Sequence, residues 1–597
     1  MKSAVNPSMN PADSVTAASY NRNWLCAVLA WTLASVLAGC SGSLGPVSAS
    51  GASRPGDAPE LILYNAKIIT VDAAFSIAQA VAIRGDRFIA VGANETVRRL
   101  AGPATRQIDL RGRSVIPGLI DGHLHNAGGG PGVTLSGVRS MAELLAAVEA
   151  RVKVSKPGDL VVSNSDWHEA QLSEKRLPHR RELDRIAPDN PVVLIRGGHE
   201  FIINAAAMRH WNISRSTPVP PGGEIGHDAD GELNGELVDA ARGLVRLPPP
   251  ARLAVEEILA QQKLLNTAGL TGIRIPGSFQ FGGDPVVPYR MFQQLKADGR
   301  LTIRVNYLMR ISDYSSAEKV REAIDKWNVK PDEGDHWLRI GGMKTLVDGG
   351  FEGGLMRTAY EEPHGKGGKF RGIQVVPLDK YITVVRELNR LGWRVATHAV
   401  GDAATDQVLD AYAAADRDQS IRGKRWAIEH LFIGRPDHYP RVHALGLVIS
   451  AQDHLYRAGP SMAKYWGRAR AEQVTPVRTF LDQGFIVAGG TDSPVIPFNP
   501  FWAMYHFISR ETISDGVYGA NQRITREEAL RLFTINNAKL TFEENLKGSI
   551  EPDKLADLVI LTADILTIAE KRIESLKPVA TMVGGRFVYN DPAVRLD

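Results

Sequence analysis

Beyond residue 40 the 597-residue sequence contains no cysteine, because its two cysteines, Cys26 and Cys40, both stand in the first forty positions. No disulfide can then form inside the folded body, so stability has to come from an apolar core and any bound metal. A long apolar run is also lacking. The stretch Trp24 to Ala38 has 15 residues, short of the roughly 20 that a membrane-crossing helix needs. An excess of one charge is missing as well: 70 basic residues against 66 acidic ones give a net charge of +4. No face is basic enough to suggest a nucleic-acid partner. With 44% hydrophobic and 23% charged residues, the composition is that of an ordinary globular protein, neither disordered nor membrane-embedded. The length exceeds what one core supports, which predicts a large domain with a smaller companion.

The N-terminal forty residues stand apart. Lys2 and Arg22 precede the apolar run, which ends in Leu37-Ala38-Gly39-Cys40 followed by Ser41-Gly42-Ser43. This resembles a bacterial lipoprotein signal with its lipobox, an uncleaved anchor being the alternative. The resemblance implies a signal peptide over 1–39, lipid attachment at Cys40 and an exported protein on the periplasmic side of a membrane. Ser41 after the cysteine resembles the outer-membrane sorting pattern. Residues 40–58, rich in Ser, Gly, Ala and Pro, read as a flexible tether.

The folded body begins near Leu61. Short apolar segments at 61–64, 80–83 and 88–91, separated by Asn65, Gly85-Asp86 and Gly92, read as a small antiparallel sheet. Similar segments recur at 557–561, 580–583 and 586–589, so residues 59–113 and 548–597 are expected to complete one β-sandwich domain from both termini. Between them, over 114–547, short apolar runs alternate with helical stretches: 114–119, 191–196, 272–275, 301–308, 343–347, 394–397, 426–428, 447–450 and 485–488. Such alternation predicts an α/β fold with a parallel sheet closed as a (β/α)8 TIM-like barrel. Nine candidates for eight places leave at least one strand to an insertion. Helical periodicity is clear in Leu378–Leu391 and Thr525–Leu540, the latter opening on a Thr525-x-x-Glu528 capping box. Pro218–Gly235 and Gly349–Gly372 read as long loops over the site.

Chemistry concentrates at the strand ends. In Pro117-Gly118-Leu119-Ile120-Asp121-Gly122-His123-Leu124-His125 two histidines at i and i+2 face one side and can reach one metal. Chance supplies about 0.4 such pairs in a chain of this histidine content, so the spacing needs context. Context comes from Lys344, His398 in Thr397-His398-Ala399, His430 in Ile428-Glu429-His430, and Asp492 in Thr491-Asp492-Ser493-Pro494. Each follows an apolar run, and in a (β/α)8 barrel the C-terminal strand ends converge on one site.

This set, in this order, resembles the amidohydrolase superfamily. Thr397-His398-Ala399-Val400-Gly401-Asp402 and Lys344…Asp348-Gly349 resemble its YtcJ-like branch, and the resemblance runs from about residue 60 to 590. It implies two divalent metal ions, zinc favoured. His123 and His125 would hold the first, His398 and His430 the second, and a carbamylated Lys344 would bridge both. Asp492 would bind the first metal and carry the proton. A carbamate is an anionic oxygen donor, which a lysine ammonium is not. His199 in Gly197-Gly198-His199-Glu200 and His454 in Gln452-Asp453-His454 are expected to bind substrate, and Trp167 and His168 to line the pocket. His438, with Asp166, His336, His364 and His443, reads as an ordinary surface or loop residue.

The expected activity is hydrolysis of a small-molecule amide, cyclic amide, carbamate or ester, C–N bonds preferred, by a metal-bridging hydroxide. A phosphoester or a heterocyclic C–Cl or C–N bond is the alternative on the same site. A non-catalytic surface lipoprotein is the rival from another class, and the filled ligand set argues against it. An oligomer is compatible with all of these.

Overall fold

The computed structural model describes residues 58–248, 253–279 and 283–596. The expected signal peptide, and the tether up to residue 57, lie outside the described residues. No helix among the described residues is long and apolar enough to cross a membrane.

Eight parallel strands form the central sheet, and we number them β1 (Leu119–Asp121), β2 (Leu270–Gly277), β3 (Arg304–Arg310), β4 (Leu338–Leu346), β5 (Val395–Ala399), β6 (Ala427–His430), β7 (Val448–Gln452) and β8 (Val487–Gly490). They pair in chain order, and Gly122 N–H donates to the Gly489 carbonyl at 2.9 Å across the seam between β8 and β1. Asn537 staples that seam from outside, its amide donating to Ile120 O at 2.5 Å and Gly489 O at 2.9 Å. The sheet is thus a nearly closed TIM-like barrel. Helices cover it by the expected periodicity: in Leu378–Arg390 the buried Tyr381, Val384, Val385 and Leu388 fall on one face. The capping box at Thr525 is made, but its helix ends at Leu532 and a second runs Ile535–Leu540.

Two of the nine expected strands belong elsewhere. Ser114–Leu119 divides at Gly118. Ser114–Pro117 pairs with Lys67–Ile69 and Leu558–Leu561 in a six-stranded sheet, and the barrel starts at Leu119. Val192–Arg196 lies in a five-stranded sheet with Val161–Val162, Glu200–Ile203, Gly223–His227 and Leu233–Asp239, inserted between β1 and β2. The expected loop Pro218–Gly235 therefore contains one strand of a hairpin and part of the other.

The terminal segments build two sheets, one of four strands within 61–109 and the six-stranded one, which shares strands from both ends of the chain. Leu63, Ile68, Val81, Phe88, Ile108, Leu558, Ile560 and Met582 fill a common core between them. This sandwich is clamped to the barrel by Asp557, which takes the Arg304 guanidinium through two bonds of 2.7 and 2.9 Å, buried at both partners. Arg304 opens β3, at the end of the barrel away from the strand C-termini, so the clamp is distant from the converging histidines.

Candidate metal centre and active site

The exits of β1 and β8 are locked together before any ligand is placed. Asp121 accepts from His123 N at 3.0 Å and from Thr491 N and Oγ1 at 3.1 and 2.6 Å. Burial pushes its carboxyl up to about 7. Asp492 N–H donates to His123 O at 2.6 Å. Gly490 is required there because a Cβ would stand 2.6 Å from His123 N. Asp492 and His430 both adopt left-handed backbone, at φ 57° and 73°. Such strain in non-glycine residues persists where the surroundings over-determine the position, as at functional sites.

Side-chain partners then decide the histidine tautomers. His123 Nδ1 lies 2.5 Å from Glu429 Oε2, and His125 Nδ1 lies 2.7 Å from the Ser278 carbonyl. Both partners only accept, so both Nδ1 atoms carry the proton and both Nε2 atoms present lone pairs. These Nε2 atoms face the same oxygen, Asp492 Oδ1, at 3.3 and 3.4 Å. Three acceptors converging in a buried place repel one another unless a cation lies among them. One donor atom from each of His123, His430 and Asp492 falls within 4.8 Å of the others, and His430 Nδ1 is buried without a hydrogen-bond partner. The donor set fits a divalent ion of the kind histidine and carboxylate hold.

Electrostatics points the same way. Burial pushes the His398 and His430 imidazoles well below their ordinary value, the neighbouring histidines adding to it, so both are neutral and able to offer a lone pair. Burial would raise Asp492, but His123, His125 and His454 hold its carboxyl well below the usual range. His398 Nε2 is 3.2 Å from Gly349 O and must donate there, leaving Nδ1 for a metal. Its ring centroid is 4.6 Å from that of His430. Lys344, on β4, is buried among these groups, and burial pushes its ammonium down to about 8. A lysine so placed yields the neutral amine that carbamate formation requires.

The remaining expected residues surround this cluster. His454 Nε2 lies 3.1 Å from Asp492 Oδ2. The His199 ring stacks on His398 at 5.2 Å, and its Nδ1 donates to Asp239 Oδ1 at 2.6 Å. A Cβ at Gly349 would come within 2.0 Å of Asp239 Oδ2, so glycine lets the β4 loop pass this pair. Trp167 and His168 are buried in the wall of a cavity of about 1180 Å³ that opens over the cluster and is bounded by the inserted sheet and the β4 loop. That exceeds the roughly 300–1,000 Å³ usual for ligand pockets.

Sequence reasoning passed over several residues. Glu429 was visible only as part of Ile428-Glu429-His430, although a carboxylate in a short apolar strand is itself a signal. It lies between His123 and Arg274, whose Nη1 donates to it at 2.7 Å. Asp348 accepts from the backbone of Leu355, Val400 and Gly401, and burial pushes it up to about 7. His438, expected at the surface, is fully buried. It sits beside Asp406 at 3.2 Å and Arg357 at 3.0 Å.

Residues 106–589 match the model of the Amidohydrolase family. An N-substituted formamide deformylase of Arthrobacter pascens is 29% identical over 89% of this chain and 98% of its own. A Bacillus subtilis (strain 168) protein that bears the name amidohydrolase YtcJ is 28% identical over 83% of this chain and 93% of its own. Among solved structures, an uncharacterized metal-dependent hydrolase from Pyrococcus furiosus superposes with a TM-score of 0.60 at 26% identity, over 85% of this chain and all of that one.

Proposed function

This chain belongs to the amidohydrolase family and is a hydrolase, and from that premise we propose that it cleaves a C–N bond of an amide, cyclic amide or carbamate, or a related ester, at a centre of two divalent ions, zinc favoured. The observation that carries this reading is the convergence of His123 Nε2 and His125 Nε2 on Asp492 Oδ1, with both Nδ1 protons already committed elsewhere. The preference for C–N bonds takes support from the Arthrobacter pascens relative, which is named for deformylating N-substituted formamides.

His123, His125 and Asp492 would hold one ion and His398 and His430 the other, with carbamylated Lys344 between them. Ions held there supply Lewis acidity and make water nucleophilic near neutral pH. Asp492 accepts the proton of the attacking water and returns it to the leaving nitrogen. His454, 3.1 Å from the second Asp492 oxygen, steadies the carboxylate through that transfer. Asp239 fixes the His199 ring so that its Nε2 faces the substrate side. The walls of the inserted sheet, with Trp167 among them, exclude water from the amide. Export with a lipid anchor at Cys40 belongs to the same proposal and rests on Leu37-Ala38-Gly39-Cys40.

The test is a screen of amide, lactam, carbamate and ester libraries against the chain from Ser41 onward, supplied with zinc and bicarbonate. Turnover of at least one C–N class, abolished by chelation, is expected. A metal-loaded protein inert towards all four classes would refute the reading.

A further inference from the structure

The charge lining the cavity is unevenly matched. Each of its carboxylates has a partner through at least one oxygen, while Asp239 Oδ2 and Glu352 Oε1 are buried without one. Asp492 faces the histidines, Asp348 takes backbone amides, Asp239 holds His199, Glu352 takes Arg196, and Glu257 caps a helix through Ala254 N at 3.1 Å. Of the guanidiniums on the same walls, Arg196 is enclosed by Glu169, Glu200 and Glu352. Arg457 donates to the Asp166 and Val495 carbonyls at 3.2 and 2.9 Å. Arg242 uses Nε on Asp239 O at 3.1 Å and lies over the Phe201 ring. The charge of Asp239 partly offsets it, but that carboxylate already serves His199. The Arg310 guanidinium has no hydrogen bond, ion pair or ring contact among the described residues, although it lines the cavity.

Position makes this more than a stray surface charge. Arg310 ends β3 and stands in register with Lys344 on β4, so the two chains leave neighbouring strands about 4.8 Å apart. Gly277 on β2 makes room for both: a Cβ there would lie 2.8 Å from Arg310 Cβ and 2.9 Å from Lys344 Cβ. Arg242 lines the same cavity, and burial lowers its guanidinium pKa, the charge of Arg310 adding to this while Asp239 and Glu352 pull the other way. Two like charges held together over a cavity are relieved by an anion between them, and a guanidinium fork matches a carboxylate through two bonds.

We propose that Arg310, assisted by Arg242, recognises a carboxylate on the substrate a few bonds from the scissile amide, so that the preferred substrates are N-acyl amino acids. This deepens the function proposed above and rests on it for the reaction, but not for the binding. Phe351 and Phe432, whose rings stack at 5.6 Å on the cavity wall, would take the amino-acid side chain.

A matched pair of ligands tests it on the metal-loaded chain: N-acetylphenylalanine, as both enantiomers, and N-acetylphenethylamine, which keeps the amide and ring but lacks the carboxylate. Calorimetric affinity and kcat/KM are measured for each. The parent is expected to favour one carboxylated enantiomer by about 10- to 100-fold, the range for hydrogen bonds to a charged group. Arg310→Met should bring that ratio near one with the metal content retained, and Arg310→Lys should recover part of it. Equal affinity of the parent for the two ligands, or an unchanged ratio in Arg310→Met, overturns the proposal. So does loss of metal from Arg310→Met, which would make the guanidinium a support of the metal centre. If the parent hydrolyses neither ligand, the amide-cleaving reading fails for this class, and the affinity ratio still decides the role of Arg310.

Discussion

Glu429 Oε2 accepts the Nδ1–H of His123 at 2.5 Å, and the other oxygen of the same carboxylate takes Arg274 at 2.7 Å. The residue before one expected ligand thus orients another across the barrel. Burial alone would raise this carboxyl, but Arg274, Lys344 and His123 hold it well below the usual range. It therefore stays an acceptor and keeps His123 Nε2 free of a proton.

Glu429→Gln tests this orientation. The amide can still accept, but it is neutral, leaves Arg274 without its anion and can turn its NH2 towards His123. Metal affinity should fall by about 10- to 100-fold, the range for such outer partners. Competition titration with a chelating dye measures it, and affinity equal to the parent's would remove Glu429 from the account.

The barrel and the side chains that converge at its C-terminal end were legible because each short apolar run ends in a residue of unusual type: His123, Lys344, His398, His430 and Asp492 all mark strand ends. What stayed hidden depends on contacts between distant segments. Pairing assigned Ser114–Pro117 to the sandwich and Val192–Arg196 to the inserted sheet, and a buried apolar strand reads the same in either sheet. Asp239 and Arg310 carry no local pattern, since their meaning comes from His199 and from a cavity bounded by segments far apart in the chain.

Metal content follows from the donor set. The purified chain should hold about two divalent ions. Chelation should abolish turnover and lower Tm, because anything bound only by the native state stabilises it. Zinc with bicarbonate should restore both. Lys344→Ala should fail to regain the second ion, and two ions with full turnover in that variant would exclude a bridging carbamate.

The buried cluster around Arg196 predicts a pH effect on stability. Burial, with Glu352 and Glu236 nearby, holds the Glu200 carboxyl well above its ordinary value, despite Arg196 at 3.3 Å. In the window above the unfolded carboxylate range, the native state then binds the proton that the unfolded chain has lost, so stability falls as pH rises. Glu200→Gln keeps the neutral form at every pH. Its Tm should decline less than the parent's between about pH 5 and 8, the span above the unfolded glutamate value. Parallel Tm curves would show that Glu200 is ionised in the fold.

Export is tested at Cys40. Cys40→Ser should leave the protein without lipid, released from or stranded in the membrane pathway, while the parent partitions with membranes. Intact-mass measurement of membrane-extracted parent still carrying residues 1–39 would exclude cleavage at this cysteine.

In the proposed reaction Asp492 is both ligand and proton carrier, and its two oxygens face different partners. Oδ1 faces His123 and His125 Nε2 at 3.3 and 3.4 Å, whereas Oδ2 faces His454 at 3.1 Å. Asp492→Asn keeps the shape and one oxygen donor, but the amide cannot accept a proton. If the proton of the attacking water passes through this carboxylate, kcat should fall by about 10²- to 10⁴-fold, the range for lost general acid–base help. KM and metal content should change far less, since a transition-state interaction has been removed rather than a uniform one. A substrate with a more acidic leaving amine should recover part of the rate, because it needs less proton donation as the bond breaks. The measurement is kcat, KM and metal content on two amides that differ only in leaving-group basicity. Turnover within a few-fold of the parent, with metals bound, would make Asp492 a ligand alone and move the proton route to His454.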